Sequence, residues 1–171
     1  MRGETLWLVL LGIAVIVNGL LAGASLDQSI EQLPARHRIG VQAYLAYSRA
    51  SHMANGRFWL IPLGIIGPVL SFAAAPWGLT RNLPAEQSVP VFLAAGLAVA
   101  NILSTLRAGS INWALTPWQP EPQKVADDVP VLTRILQRFE RWQAVRATVQ
   151  FLHFAVAVWA LSANSAAAFS R

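Results

Sequence analysis

Seven polar residues lie in or beside stretches that are otherwise apolar, and they are where chemistry could be done. They are Asn18, Asn101, Asn112, Trp142, Arg146, Gln150 and His153. Trp142, Arg146, Gln150 and His153 fall at offsets of zero, four, eight and eleven, which puts them on one helical stripe. An arginine there could stabilise developing negative charge, a histidine could move a proton, and the amides could orient a substrate or ligand. Asn112 follows Asn101 by eleven residues, close to the same face of its own helix. The same residue types also have a packing role. Single Asn, Gln and Thr side chains hydrogen-bond across membrane helices for about 1 kcal/mol or less each, and an arginine near a helix end can snorkel to headgroups.

Other chemistries are excluded by what the chain lacks. It has no cysteine, so thiolate metal sites, disulfides and cysteine nucleophiles are impossible. Its three histidines have no metal-ligand spacing and no carboxylate lies within an apolar stretch, so no metal site is expected. There is no phosphate-binding glycine loop and no nucleophile elbow. No cofactor is expected either.

The elements that must position these residues are four charge-free windows. They are Thr5–Leu26, Phe58–Thr80, Gln87–Leu106 and Ala147–Ser170, of 22, 23, 20 and 24 residues. A helix needs about 20 apolar residues to cross roughly 30 Å of hydrocarbon, and helices satisfy their own backbone there. Only 12% of the 171 residues are charged, about half the usual share for a soluble domain. The expected fold is all-α: a single domain, residues 1–171, forming a membrane four-helix bundle with spans at about 5–26, 58–80, 87–106 and 147–165.

Charge then orients the bundle. The first connection holds Arg36, Arg38, Arg49 and Arg57; the third holds Arg107, Lys124, Arg134, Arg138, Arg141 and Arg146. Only Arg2, Arg81 and Arg171 lie on the other side, so the split is ten against three. The positive-inside rule places both long connections in the cytoplasm and both termini outside, in a plasma membrane. The net charge of +5 is explained by this orientation, and no nucleic-acid partner is expected. Small residues at Gly19 and Gly23 favour a retained first helix that packs closely in lipid over a cleaved leader.

The connections are structured as well. Pro34 to Ala54 is rich in helix formers, ends at the stop signal Asn55-Gly56, and is expected to form a short helix that lies in the interface or prolongs the second span. Pro117, Pro120 and Pro122 exclude regular helix, and Asp127-Asp128 cap a new one. From there Leu132, Ile135, Leu136, Phe139 and Trp142 keep helical spacing, which predicts one helix from about Val129 to Ser162 with its first four turns outside the hydrocarbon.

Four spans, a long basic first connection, Asn112 followed by Pro117, and Trp142-x-x-x-Arg146 together resemble the anthrone-oxygenase-like family of small four-span membrane proteins. The resemblance covers nearly the whole chain in architecture and only a few residues in motif. It implies cofactor-independent oxidation of polycyclic anthrones, which needs a base and donors for an oxyanion. Asn112, Trp142 and Arg146 match by position. Many members carry a histidine just before that arginine; Gln143, Ala144 and Val145 stand there here, which leaves His153 as the candidate base. Two functions stay open. One is a membrane module with a polar cytoplasm-facing cleft that binds a small apolar molecule such as a quinone, a membrane lipid, or a partner subunit or second copy. The other is an oxygenase of the family type.

Overall fold

The computed structural model describes residues 2–80, 82–115 and 128–169. The proline cluster at Pro117, Pro120 and Pro122, and the capping residue Asp127, lie outside the described residues. So do Arg81, Lys124 and Arg171. No strand occurs among the described residues.

Helix α1 (Arg2–Asp27) continues through one wide turn, Gln28–Gln32, into α2 (Leu33–Ile39). In that turn the Leu33 amide reaches back five residues to the Gln28 carbonyl. Pro34 follows immediately, and a proline ring crowds the carbonyl of the preceding turn. Widening that turn by one residue lets the helix pass the proline without breaking. Gly40 then ends the rod at φ +83, a conformation that favours glycine. Helix α3 (Val41–Ser48) follows, and wide turns over Arg49–Gly56 carry it without a break into the next helix, so the first connection contains two short α-helices where the sequence predicts one, and the second of them prolongs the following span.

Helices α4 (Arg57–Thr80), α5 (Ala85–Trp113) and α6 (Val129–Phe169) complete the chain. The last begins at the predicted residue and runs seven residues past the predicted end, for 41 residues and about 60 Å. Four helices are long and apolar enough to cross a membrane. They form a ring in which α6 packs on α1 and α5, and α4 packs on the same two. Sequence neighbours are therefore spatial neighbours, and α6 closes the ring onto α1.

The helices meet along seams spaced by threes and fours. On α1 and the wide turn that follows it the buried positions include Trp7, Leu11, Ala14, Asn18, Leu21, Ser25 and Gln28. On α6 they include Leu136, Phe139, Gln143, Ala147, Gln150, His153, Ala157, Ala160 and Asn164. This repeat of about 3.5 residues is the geometry of left-handed, near-parallel packing. Much of each seam is small or polar, and the large apolar side chains point outward: Ile16, Leu20, Ile65, Val69 and Leu103 are all exposed. A soluble bundle does the reverse. Between helices in lipid, close backbone approach and hydrogen bonds replace the hydrophobic drive. Trp59 and Trp113, 75% and 73% exposed, suit the membrane–water interface.

Two apolar clusters close the ends. At the basic end, Leu33, Tyr44 and Leu45 pack with Ile111, Leu115, Leu132, Leu136 and Phe139, so the early turns of α6 bury an apolar face as the spacing predicts. Burial there pushes the Tyr44 phenol up from 10.0 to about 12, partly offset by the nearby Arg36. At the end carrying the termini, Trp7, Leu11, Ala74, Val91 and Ala160 form the second cluster, with the Trp7 and Trp77 rings 5.7 Å apart. Trp7 is only 2% exposed. It is a core residue, whereas its position alone suggests an interface anchor.

Candidate polar site in the bundle core

Between the apolar clusters lies a layer of hydrogen-bonded polar side chains, contributed by all four spans. Asn101 and Gln150 are both buried, and the Gln150 amide donates to Asn101 Oδ1 at 2.9 Å. Thr105 donates to the same oxygen at 3.3 Å. His153, fully buried, meets Ser71 across the diagonal of the ring, Nε2 to Oγ at 2.8 Å. Arg146 points into the bundle, where its Nη2 donates to Gln28 Oε1 at 2.8 Å. Gln143 donates to the Ser25 carbonyl at 3.2 Å. In water these bonds would each contribute little; in hydrocarbon an unmade one is costly, so the layer fixes the helix register.

Asn18 sits in the same layer with a different role. Its amide donates to the Ala14 carbonyl at 2.8 Å, and its Oδ1 faces Gly67 on α4. A Cβ added at Gly67 would lie 2.8 Å from that oxygen. Gly67→Ala is therefore expected to push α1 from α4 at a cost of about 1–3 kcal/mol, measured as a lower melting temperature in detergent. Adding Asn18→Ala should recover most of the loss; no recovery would mean the backbone, and not the Asn18 oxygen, is what the methyl meets.

Of the seven residues singled out from the sequence, Asn18, Asn101, Arg146, Gln150 and His153 come together in this layer. Asn112 and Trp142 do not. Trp142 is half-buried beside the apolar cluster at the basic end, with the Arg107 guanidinium 5.7 Å from its ring centre. Asn112 is half-buried near the C-terminal end of α5. The seam runs through Gln143, which is fully buried, in the 3.5-residue repeat of packed helices. Over the eleven residues from Trp142 to His153 the difference from a straight helix turns the inward face by about 30°, at about 20° per heptad, which leaves Trp142 and Gln143 about equally far from the direction of His153, and packing against α1 selects Gln143. Gln28, Ser71 and Gln143 also belong to the layer. Their signal in the sequence is the same 3.5-residue spacing relative to Leu21, Ala74 and Gln150.

Several atoms of the layer have no hydrogen-bond partner: Arg146 Nε, Gln143 Oε1, Gln150 Oε1 and His153 Nδ1. Arg146 has no ion pair among the described residues. The ion pairs present lie nearer the basic end, where Arg36, 4% exposed, donates through Nη2 to Glu140 Oε2, and His37 Nε2 stands 3.9 Å from the other oxygen. Among the described residues no group of three His, Asp or Glu side chains could hold a metal ion. Chemically, the layer offers one unneutralised cation, two amide oxygens lacking donors and one imidazole nitrogen. Comparison of the chain with protein-family models, with curated proteins and with solved structures finds no match.

Proposed function

We propose that this chain is a non-catalytic four-span module of the plasma membrane that binds a small apolar molecule with an oxygen-bearing head, a quinone or a lipid, at the Arg146 layer. Arg146 carries the reading: a guanidinium directed into a helix bundle, with one neutral acceptor and an unpaired Nε. A buried cation without a counter-charge is unfavourable, and an electron-rich oxygen brought by a ligand offsets that cost. The unpaired oxygens of Gln143 and Gln150 suit a hydroxyl donor on the same head. The exposed Arg134, Arg138 and Arg141 on the first turns of α6 face anionic headgroups or a partner subunit. The basic end lies in the cytoplasm by the ten-to-three distribution of positive charge. In intact cells, cysteine at Gln137 should resist an impermeant thiol reagent and cysteine at Ala85 should react; the reverse pattern would invert the orientation.

The reading is tested by native mass spectrometry of protein extracted from its own membranes. Wild type should retain one small molecule, and Arg146→Leu should lose it at least tenfold while staying folded. A wild type that carries nothing, and whose melting temperature no added quinone or phospholipid raises, would sink the proposal. Ligand at 100 times its Kd adds about 2.7 kcal/mol, which a melting curve resolves. The oxygenase is the second reading, favoured by the unpaired His153 Nδ1. His153 and Arg146 are one heptad apart, about 10 Å along the axis, so one substrate reaches both only if it is as long as a tricyclic aromatic. Oxygen uptake with an anthrone, abolished by His153→Gln, separates this reading from the first.

A further inference from the structure

Helix α4 is buried against its neighbours only from Gly67 onward. Its buried positions are Gly67, Pro68, Ser71, Ala74 and Gly78, and none of the nine residues from Phe58 to Ile66 is buried. The other helices stay packed toward the basic end, with Ser25, Ala108, Ile111, Leu132 and Leu136 all buried. Leu60, Leu63 and Gly64 continue the inward stripe of α4 at spacings of three and four, yet each is only half-buried. Pro68 gives the reason. It has no amide hydrogen to donate to the Gly64 carbonyl, its ring crowds that turn, and helices bend at such positions. Depth follows from the bond between His153 and Ser71. Helices α4 and α6 run in the same direction, and Gly64 and Arg146 each lie seven residues before a partner of that bond, so they stand at one level on opposite sides of the ring. A Cβ added at Gly64 would meet nothing within 4 Å, whereas one at Gly67 would meet Asn18. Space is therefore open on the α4 side at the level where Arg146 keeps an unpaired Nε. The charge-free stretches of α1, α5 and α6 end within about one turn of this level, at Asp27, Arg107 and Arg146, which is the depth of lipid headgroups.

We propose that the wedge between the first turns of α4 and the rest of the bundle admits an anionic phospholipid from the leaflet at the basic end, its phosphate on Arg146 and one acyl chain against Leu60, Leu63 and Gly64. This rests on the reading of Arg146 as a ligand site and narrows it from quinones and lipids to one class of lipid. A phosphate brings the negative charge that the buried guanidinium lacks, and its bonds to arginine are charge-assisted; a neutral quinone brings oxygen without charge. The acyl chain covers apolar side chains that the bundle leaves half-exposed. Arg138 and Arg141 stand exposed on α6 within about two turns of Arg146, and their field favours a net anionic head over one that carries its own cation.

The test is native mass spectrometry of the full chain released from nanodiscs that hold phosphatidylglycerol and phosphatidylcholine in equal amounts. Wild type should carry phosphatidylglycerol with a preference of about tenfold or more, and Arg146→Gln should lose that preference. Gly64→Leu fills the wedge and should lower the bound phosphatidylglycerol about tenfold. Leu60→Trp, one turn nearer the end of α4, should do the same and serves if Gly64→Leu does not fold. Gly64→Ala should melt as wild type does in lipid-free detergent, because its methyl meets nothing. Equal binding of the two lipids by wild type, undiminished binding when the wedge is filled, or a Gly64→Ala protein that melts as low as Gly67→Ala would each overturn the proposal. A short-chain ubiquinone in the same nanodiscs separates this failure from that of the Arg146 site itself. Quinone held through Arg146 with no phospholipid preference removes the phospholipid and keeps the site; an Arg146→Gln protein that keeps whatever wild type binds removes both.

Discussion

Phe139→Asp is expected to lower the melting temperature of the detergent-solubilised protein on the order of 10 °C. Phe139 is 3% exposed and sits among Leu33, Tyr44, Leu132 and Leu136, so it joins α6 to both helices of the first connection. Removing a buried phenylalanine costs about 3–5 kcal/mol. The aspartate adds a further cost, because it must either stay charged without a partner or take up a proton. For a domain of 150–250 residues each kcal/mol moves the midpoint about 2–4 °C. Arg134, Arg138, Glu140 and Arg141 surround the cluster on α6, so it is expected to lie outside the hydrocarbon, where water drives apolar residues together and the ordinary burial argument applies. Phe139→Leu should cost much less, and Gln137→Asp, two residues away on the exposed face, should change little. A Phe139→Asp protein that melts like wild type would mean this end of α6 stands free.

The second large effect is expected at the ion pair between Arg36 and Glu140. Arg36 is 4% exposed and Glu140 about a third exposed, so the pair is sheltered on the arginine side. Glu140→Ala leaves a guanidinium buried beside Tyr44 and Leu33 without its counter-charge. Breaking one side of a buried pair costs about 3–5 kcal/mol, and the exposure of Glu140 brings the expected figure to about 2–3 kcal/mol. The double variant Arg36→Met with Glu140→Leu should recover most of that, because it removes the desolvated charge together with its partner. If the double variant is as unstable as the single one, the pair contributes through geometry that methionine and leucine cannot supply. Loss at this contact would also free α2 from α6, immediately below the Gln28–Arg146 bond.

The sequence by itself determined the all-α class, the four spans, the basic end and the start of α6 at Val129. The physical reason is that hydrocarbon leaves a chain few options: every backbone group must be satisfied within a helix, and a charge-free stretch of about 20 residues has little else to become. The inward face of each helix was harder to read. In water, polarity marks the outside; here both faces are largely apolar, so only scattered Asn, Gln, Ser and His residues mark the seam. Read at 3.6 residues per turn they include Trp142; the 3.5-residue repeat of packed helices leaves Trp142 and Gln143 about equally placed, and contact with α1 buries Gln143. Tertiary structure alone decided the pairings. His153 finds Ser71 across 82 residues of chain, and Trp7 finds Asn164 across 157. Neither the spacing nor the composition of either partner names the other, because which helices are neighbours in the ring, and at what depth, is settled by packing between them.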